Sequence, residues 1–462
     1  MNLKTYIVLR MKDMKPDKLR WALLLGACLG LTSLQAQELW TADQCMEYAM
    51  QHNHTVKQRE LEWKNSKLDK MKAWGNFLPG ISAGASAAYN FGRSVDPETN
   101  TYTDVSTFGN SYRLEAGMYL FKGGSLVAQW KQARVAALMG KAALQEERDQ
   151  VGLDTYQAYI ELLYQQGAVE LARKKLAESD SLLYKTRLQE ELGLKGRTDV
   201  LQMEAQRNTD AYTLTHAEGV CASALLALKQ KMNYPLDAEL LLAGDEAKPE
   251  ALEEGGTLPT LVSSEEILAC LGATNPTLRS AQLMVQSRRQ EQRIAWAGVM
   301  PTVSLYAGIS TSYFKQLHAD GYSSFGTQLK NNKGEYVSVS LSIPIFNRLS
   351  TLASVRQSRN NYRIASQQLE EQRTTLHKLA REALQDCDNY RLETLQMEKK
   401  VESDSLAYAA TCRKYEEGLS TGIDVQTSGA TLHESRIGLL QSRLTYAMKR
   451  RLAHYYLEGN LF

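Results

Sequence analysis

Four stretches of the chain alternate apolar and polar side chains with a period of two. Ile81, Ala83, Ala85, Ala87, Tyr89 and Phe91 oppose Ser82, Ser86 and Asn90, and Tyr112, Leu114, Ala116, Met118 and Leu120 oppose Arg113 and Glu115. Val303, Leu305, Ala307 and Ile309 alternate with Thr302, Ser304 and Ser310; Val337, Val339, Leu341, Ile343 and Ile345 alternate with Ser338, Ser340 and Ser342. Successive strand side chains point to opposite faces, so each stretch predicts a strand with one apolar face. Elsewhere the period lengthens to seven: Leu162, Val169, Leu176 and Leu183 in one tract, and Leu369, Leu376, Ala383, Tyr390 and Met397 in another, with Ala380, Cys387 and Val401 on an adjoining stripe. That spacing marks helices packed side by side, knobs into holes. No proline falls between Pro97 and Pro235 or after Pro344, so both tracts are free to be helical throughout. Residues 125–193 would reach roughly 100 Å at 1.5 Å per residue.

The pattern occurs twice. Asn53, Leu61, Ala73, Trp74 and Pro79 recur 222 positions later as Asn275, Leu283, Ala295, Trp296 and Pro301. After one loop the offset becomes 225: Phe121 matches Phe346, Ala128 Ala353, Gln132 Gln357 and Leu144 Leu369. The slip falls between Asn90 and Tyr112, where Gly, Asn, Asp and Thr dominate, as expected of a surface loop. Each half reads helix, strand, loop, strand, long helical tract. Thr41 with Gln44, and Ser263 with Glu266, have capping-box spacing and would start the first helix of each half, which runs on toward Trp74 or Trp296. Pro79 and Pro301 mark the change to extended chain. The division is therefore a leader at 1–36, a first repeat at 37–234, a connector at 235–262 and a second repeat at 263–462.

Each long tract ends in a glycine turn. Gly193-Leu194-Lys195-Gly196-Arg197-Thr198-Asp199-Val200 matches Gly418-Leu419-Ser420-Thr421-Gly422-Ile423-Asp424-Val425. Glycine at a helix C-terminus followed by Thr or Asp before the next helix is the chemistry of a helical hairpin. The return arms, 200–234 and 425–456, would fold back along the tracts.

Composition adds exclusions. The formal net charge is +2 over 462 residues, so no basic excess points to nucleic acid. Arg20, the apolar run 21–34 and Leu34-Gln35-Ala36 form a secretory signal peptide, too short to span a bilayer. Leu25-Gly26-Ala27-Cys28 loosely resembles a lipidation motif, but Cys28 lies inside the apolar run. Cleavage after Ala36 would leave Cys45, Cys221, Cys270, Cys387 and Cys412, which show neither a disulfide framework nor zinc spacing and read as apolar core residues. Past the leader no apolar run is long enough for a membrane helix, so a bilayer crossing would have to be a closed β-barrel. The alternation also fits a soluble half-buried sheet. The export signal and the pairing of strands around polar loops favour membrane strands. Such barrels need about eight strands or more. Four per chain imply construction shared among copies, eight strands from two or twelve from three.

Reaction chemistry is thin. No Ser-His-Asp signature, phosphate loop or His-Glu-x-x-His occurs, and no cofactor or metal is expected. His52 and His54 flank Asn53 at a helix start without a third ligand nearby, and Arg173, Lys174 and Lys175 read as a solvated face.

The doubled halves, the strand approaches Phe77-Leu78-Pro79 and Val299-Met300-Pro301, the exits Leu120-Phe121 and Ile345-Phe346, and the two Gly-x5-Asp-Val tips together resemble the TolC-like outer-membrane efflux protein family, over residues 38–460. The resemblance implies a homotrimer. Its fold would be mainly α with transmembrane β: a twelve-stranded barrel, four strands per chain, continuous with a periplasmic α-helical coiled-coil barrel. The location implied is the outer membrane of a Gram-negative cell, with a large periplasmic portion. The function implied is a passive duct of a tripartite efflux or type I secretion system, not an enzyme, meeting a periplasmic adaptor (membrane fusion protein) and an inner-membrane pump or ABC exporter. Asp199 and Asp424 fall on the family's tip aspartates, Thr198 and Tyr415 on positions that hold tips closed, and Gly193, Leu194, Gly418 and Leu419 on the hairpin tips where an adaptor docks. An aspartate at such a position also caps its helix. Thr427 stands where some members carry a second acid, and Ser420 where a basic residue can lie. From the residues alone, a soluble periplasmic coiled-coil adaptor or structural protein remains the alternative.

Overall fold

A computed structural model describes residues 39–95, 100–104, 106–244, 275–317 and 321–458. The leader with Cys28, the Ser263–Glu266 pair, Cys270 and most of the connector lie outside the described residues. The chain divides into two compact units, Met1–Tyr48 with Thr155–Glu254, and Ala49–Asp154 with Gly255–Phe462.

The first helices are α1 (Ala42–His52) and α2 (His54–Gly75). The predicted capping box is present: Thr41 N donates to Gln44 Oε1 at 2.9 Å and Gln44 N to Thr41 Oγ1 at 3.3 Å. One continuous helix was expected from there to Trp74. It is instead interrupted at Asn53, whose side chain accepts from Thr55 N at 2.8 Å and caps α2. Asn275 does the same for its counterpart α5 (Pro276–Ala297), accepting from Leu278 N at 3.1 Å, with Pro276 at the first helical position. The repeated asparagine is thus a repeated helix start.

In the second unit, β1 (Gly80–Asn90), β4 (Thr107–Lys122), β5 (Thr302–Gln316) and β6 (Gly334–Ser342) form one antiparallel sheet in the order β1-β4-β5-β6. Ile81 pairs with Ala116, Leu114 with Ile309, and Leu305 with Val339. A short hairpin, β2 (Arg93–Val95) with β3 (Tyr102–Asp104), lies in the first loop, and α6 (Phe325–Asn331) in the second. Neither was expected. Buried Gln328 of α6 anchors that helix by accepting from Phe314 N and donating to Phe314 O, both at 3.0 Å. A second difference is at the end of β6, where alternation predicted strand through Ile345. The ladder stops at Ser342 because Pro344 has no N–H to donate.

Both strand exits turn through left-handed backbone. Gly123 and Gly124 (φ +58° and +77°) join β4 to α3 (Ser125–Glu191), and Arg348 and Leu349 (φ +56° and +65°) hold the equivalent bend before α7 (Ser350–Glu416). A Cβ at Gly123 would come within 2.7 Å of Ala297 O, so this corner admits only glycine.

The long tracts are single helices of 67 residues each, returning as α4 (Arg197–Met232) and α8 (Gly422–Glu458). The seven-residue stripe is the buried one: Leu162 and Leu183 on α3, and Leu376, Ala380, Ala383 and Cys387 on α7, have almost no exposed surface. Ion pairs cross each hairpin, Arg207 to Asp180 at 2.9 Å in the first, and Lys449 to Asp386 at 2.7 Å and Arg443 to Glu398 at 2.8 Å in the second. Such partly exposed pairs set register more than they stabilise. In the first unit, Trp40, Tyr48 and Tyr234 pack edge to face, with ring centroids 5.5–5.6 Å apart. None of the described helices is long and apolar enough to cross a membrane.

Candidate functional site

The two hairpin tips are built alike, one in each unit. At the end of α3, Gly193 (φ +73°) lets Leu194 N reach back to Gln189 O at 2.8 Å. At the end of α7, Gly418 (φ +77°) lets Leu419 N reach Lys414 O at 2.8 Å. A left-handed glycine with a six-to-one hydrogen bond satisfies the last carbonyls of a helix and turns the chain sharply. The turn pushes Leu192, Leu194, Leu419 and Ile423 outward, with exposures of 66, 70, 74 and 61%. Large apolar side chains this exposed at a turn suit contact with another surface.

The two aspartates occupy the third position of the following helices and act as capping groups. Asp199 Oδ2 accepts from Gly196 N at 3.1 Å. Asp424 Oδ2 accepts from Thr421 N at 2.9 Å, from Thr421 Oγ1 at 2.7 Å and from Ser420 Oγ at 3.0 Å, while Asp424 N donates to Thr421 Oγ1 at 3.3 Å. These donors favour the charged form, so the Asp424 carboxyl is held below its ordinary value, first by the Thr421 backbone and hydroxyl and then by Ser420. Capping and charge presentation are compatible here, because Asp424 remains solvent-exposed while bonded. Ser420 thus feeds Asp424 instead of contributing a basic group. Thr427 donates its hydroxyl to Ile423 O at 2.9 Å and adds no second acid.

The remaining gate candidates separate by burial. Thr198 is exposed on the first turn of α4, whereas Tyr415 is buried, with 1% of its surface exposed. His52 ends α1 and His54 begins α2; among the described residues no group of three or more His, Cys, Asp or Glu could hold a metal ion.

Above each tip the structure brings together a polar cluster that comparing identical residues does not find. In the first hairpin, Lys175 Nζ lies 3.2 Å from Asp210 Oδ1, Ser179 Oγ donates to Asp210 Oδ2, and Gln206 Nε2 donates to Asp210 Oδ1 at 3.0 Å. In the second, Lys400 Nζ lies 2.7 Å from Asp404 Oδ2, and Ser435 Oγ bonds both Lys400 and Asp404. Positions 175, 179 and 210 correspond to 400, 404 and 435 at the repeat offset. The same lysine, aspartate and serine are present, but Asp and Ser have exchanged arms. Applying the offset to polar residues, rather than to identical ones, would have revealed it.

A family model described as "Outer membrane efflux protein" matches residues 271–452. The chain is 25% identical over 448 residues to "Outer membrane protein TolC" of Escherichia coli strain K12, covering 93% of this chain and 84% of that protein. It is 23% identical over 369 residues to "Alkaline protease secretion protein AprF" of Pseudomonas aeruginosa, covering 78% and 73%. Its fold matches the crystal structure of the outer membrane protein VceC from Vibrio cholerae with a TM-score of 0.74 at 17% identity, covering 91% of this chain and 97% of that one.

Proposed function

Because the chain belongs to the TolC-like outer-membrane efflux protein family, we propose that three copies close into one passive export duct, a twelve-stranded barrel in the outer membrane above a periplasmic helical barrel. The observation that carries this reading is the sheet. Its outer strands β1 and β6 have no partner on their far sides among the described residues, and they run in opposite directions because the sheet has four antiparallel strands. The β6 of one copy therefore meets the β1 of the next in antiparallel register, and the pattern repeats until the ring closes. Closure satisfies every backbone group, which hydrocarbon requires. The apolar face supports a lipid-facing assignment: Ile81, Val337, Val339 and Leu341 are 70, 75, 64 and 61% exposed in the single chain.

The energy for transport comes from a partner, an inner-membrane pump or ABC exporter reached through a periplasmic adaptor, and the chain itself catalyses nothing. The leucine-bearing turns at Gly193-Leu194 and Gly418-Leu419 are the docking points for that adaptor. Asp199 and Asp424, repeated around the ring, form the charged rim of the periplasmic entrance, with Thr198 and Tyr415 among the groups that set its resting width. Rings of carboxylates favour cations.

Purified protein in a planar bilayer is expected to conduct, with cations preferred over anions. Asp424→Ala should reduce that preference without abolishing conductance. Since the Asp424 carboxyl titrates below its ordinary value of 3.8, the preference should persist as the pH is lowered toward that value and weaken only beneath it. Absence of conductance from a correctly folded oligomer would overturn the duct. Unchanged selectivity in Asp424→Ala would remove that residue from the rim.

A further inference from the structure

The second unit contains a groove between α2 and α3 that the tips and the sheet do not use. Its volume is about 640 Å³. Three tryptophans, Trp63, Trp74 and Trp130, line it together with Met71. Lys67, Lys70, Arg134 and Lys141 also line it, and among the described residues no aspartate or glutamate does. None of these four cations takes part in a salt bridge among the described residues; Lys67 instead lies 3.4 Å from the centre of the Trp63 ring.

The helices meet at one end of the groove. A Cβ at Gly140 would lie 3.0 Å from Ser66 Oγ and 3.3 Å from the Trp63 ring, so α2 and α3 are in close contact there. Toward the sheet the groove continues to Trp74, six residues before β1 begins, and Trp130, eight residues after β4 ends. Trp63 to Trp74 spans about 17 Å of helix. The groove thus runs from the strand roots along the last turns of α2 and the first turns of α3.

The repeat shows which parts of this lining the architecture does not demand. At the equivalent positions of the second half, Val285 replaces Trp63, Gln292 replaces Lys70, Val355 replaces Trp130 and Ser366 replaces Lys141, while Ala365 replaces Gly140. Trp74, Lys67 and Arg134 do have counterparts in Trp296, Arg289 and Arg359, so both halves place tryptophan and cations below the strands, and what is particular to the first half is Trp63, Lys70, Trp130 and Lys141.

We propose that the groove binds an anionic phospholipid of the periplasm-facing leaflet, with its phosphate held by Lys70 and Arg134 and its upper acyl segment against Met71, Trp74 and Trp130. Tryptophan beside lysine and arginine at the end of a membrane-spanning element is the chemistry of the headgroup zone, and basic pockets there take anionic headgroups. The acid-free lining selects negative charge, and the aromatic walls select a ligand with an apolar body, which inorganic phosphate lacks. The proposal rests on the barrel reading, since only that reading puts the strand roots at the bilayer surface.

The test uses the full assembled protein in phosphatidylcholine vesicles containing a minority of phosphatidylglycerol. Bromine is placed on the acyl chains of one lipid or the other, and tryptophan quenching is measured. Brominated phosphatidylglycerol should quench more strongly than brominated phosphatidylcholine at equal mole fraction, and Trp130→Phe should remove part of the difference. The Lys70→Gln/Arg134→Gln double variant should need roughly twenty-fivefold more phosphatidylglycerol for the same effect, each cation being worth about fivefold near an anionic headgroup. Equal quenching by both lipids, or an unchanged dose dependence in the double variant, would overturn the proposal. So would quenching that arises only when a water-soluble short-chain brominated phosphatidylglycerol is added, because the groove would then be filled from the aqueous side. Protein that inserts and conducts without a lipid preference refutes the groove alone, whereas protein that never inserts refutes the barrel.

Discussion

Asp149 is a carboxylate placed where charge is costly. It is buried on α3, receives a hydrogen bond from Tyr455 Oη at 3.1 Å and another from Gln145 Nε2 at 2.8 Å, yet forms no salt bridge among the described residues. Burial pushes its carboxyl up from 3.8; the two hydrogen bonds oppose that shift and nearby Glu146 adds to it. Burial likewise pushes the Tyr455 phenol up, and the neighbouring Asp149 charge adds to the effect. A carboxyl whose folded value is raised holds its proton more tightly folded than unfolded. Its stabilising contribution is complete below the ordinary 3.8 and is lost as pH rises through the elevated value. Asp149→Asn retains an acceptor for Tyr455 and removes the ionisation. The variant's thermal midpoint should exceed that of the wild type at pH 8, and the gap should close as the pH falls toward 4. A gap independent of pH would mean that the Asp149 carboxyl titrates no differently in the folded and unfolded chain.

At the level of elements, the exchanged Asp and Ser of the two hairpins make a test of what holds the arms together. Asp210 is 1% exposed and Lys175 is largely covered, so Asp210→Ala leaves a lysine and a serine without their acceptor and should cost on the order of 1–3 kcal/mol. Ser179→Asp with Asp210→Ser reproduces the arrangement of the second hairpin and should recover most of that loss. Denaturant unfolding of the two variants measures it, and a double variant no better than Asp210→Ala would show that the arms are not interchangeable. Long elements were legible in the sequence because their signals are redundant: the heptad at Leu369, Leu376 and Ala383 repeats over many turns, and a single exception does not hide it. Short ones were not. Asn53 interrupts a helix by capping the next, an effect of one side chain within an otherwise unbroken helical pattern. The helix Phe325–Asn331 depends on Gln328 reaching the Phe314 backbone, a contact between strand and loop that no local periodicity encodes. The groove at Trp63, Trp74 and Trp130 was missed for a similar reason, since its walls are residues of two helices that lie more than fifty positions apart in sequence, Trp74 on one and Trp130 on the other being the nearest.

For the whole molecule, the barrel reading predicts an asymmetry between the two faces of β6. Val339 belongs to the exposed apolar face and Ser340 to the opposite one. Val339→Arg should impair insertion into vesicles by about 2–4 kcal/mol, the cost of arginine toward lipid near mid-bilayer, while Ser340→Arg should insert normally and change conductance. Equal effects of the two substitutions would contradict a lipid-facing and a water-facing side. The tip residues were locatable from sequence because glycine and a capping aspartate recur at one offset, yet their bonding was not: that Ser420 and Thr421 share one oxygen of Asp424 required coordinates. The open margins of the sheet bear on genetics as well. With three identical contributors per ring, a copy that folds but cannot offer its β1 or β6 edge spoils the two sound neighbours it joins. Co-expressing such a copy in equal amount would leave only about one ring in eight free of it, so a loss-of-function allele of this kind should be dominant.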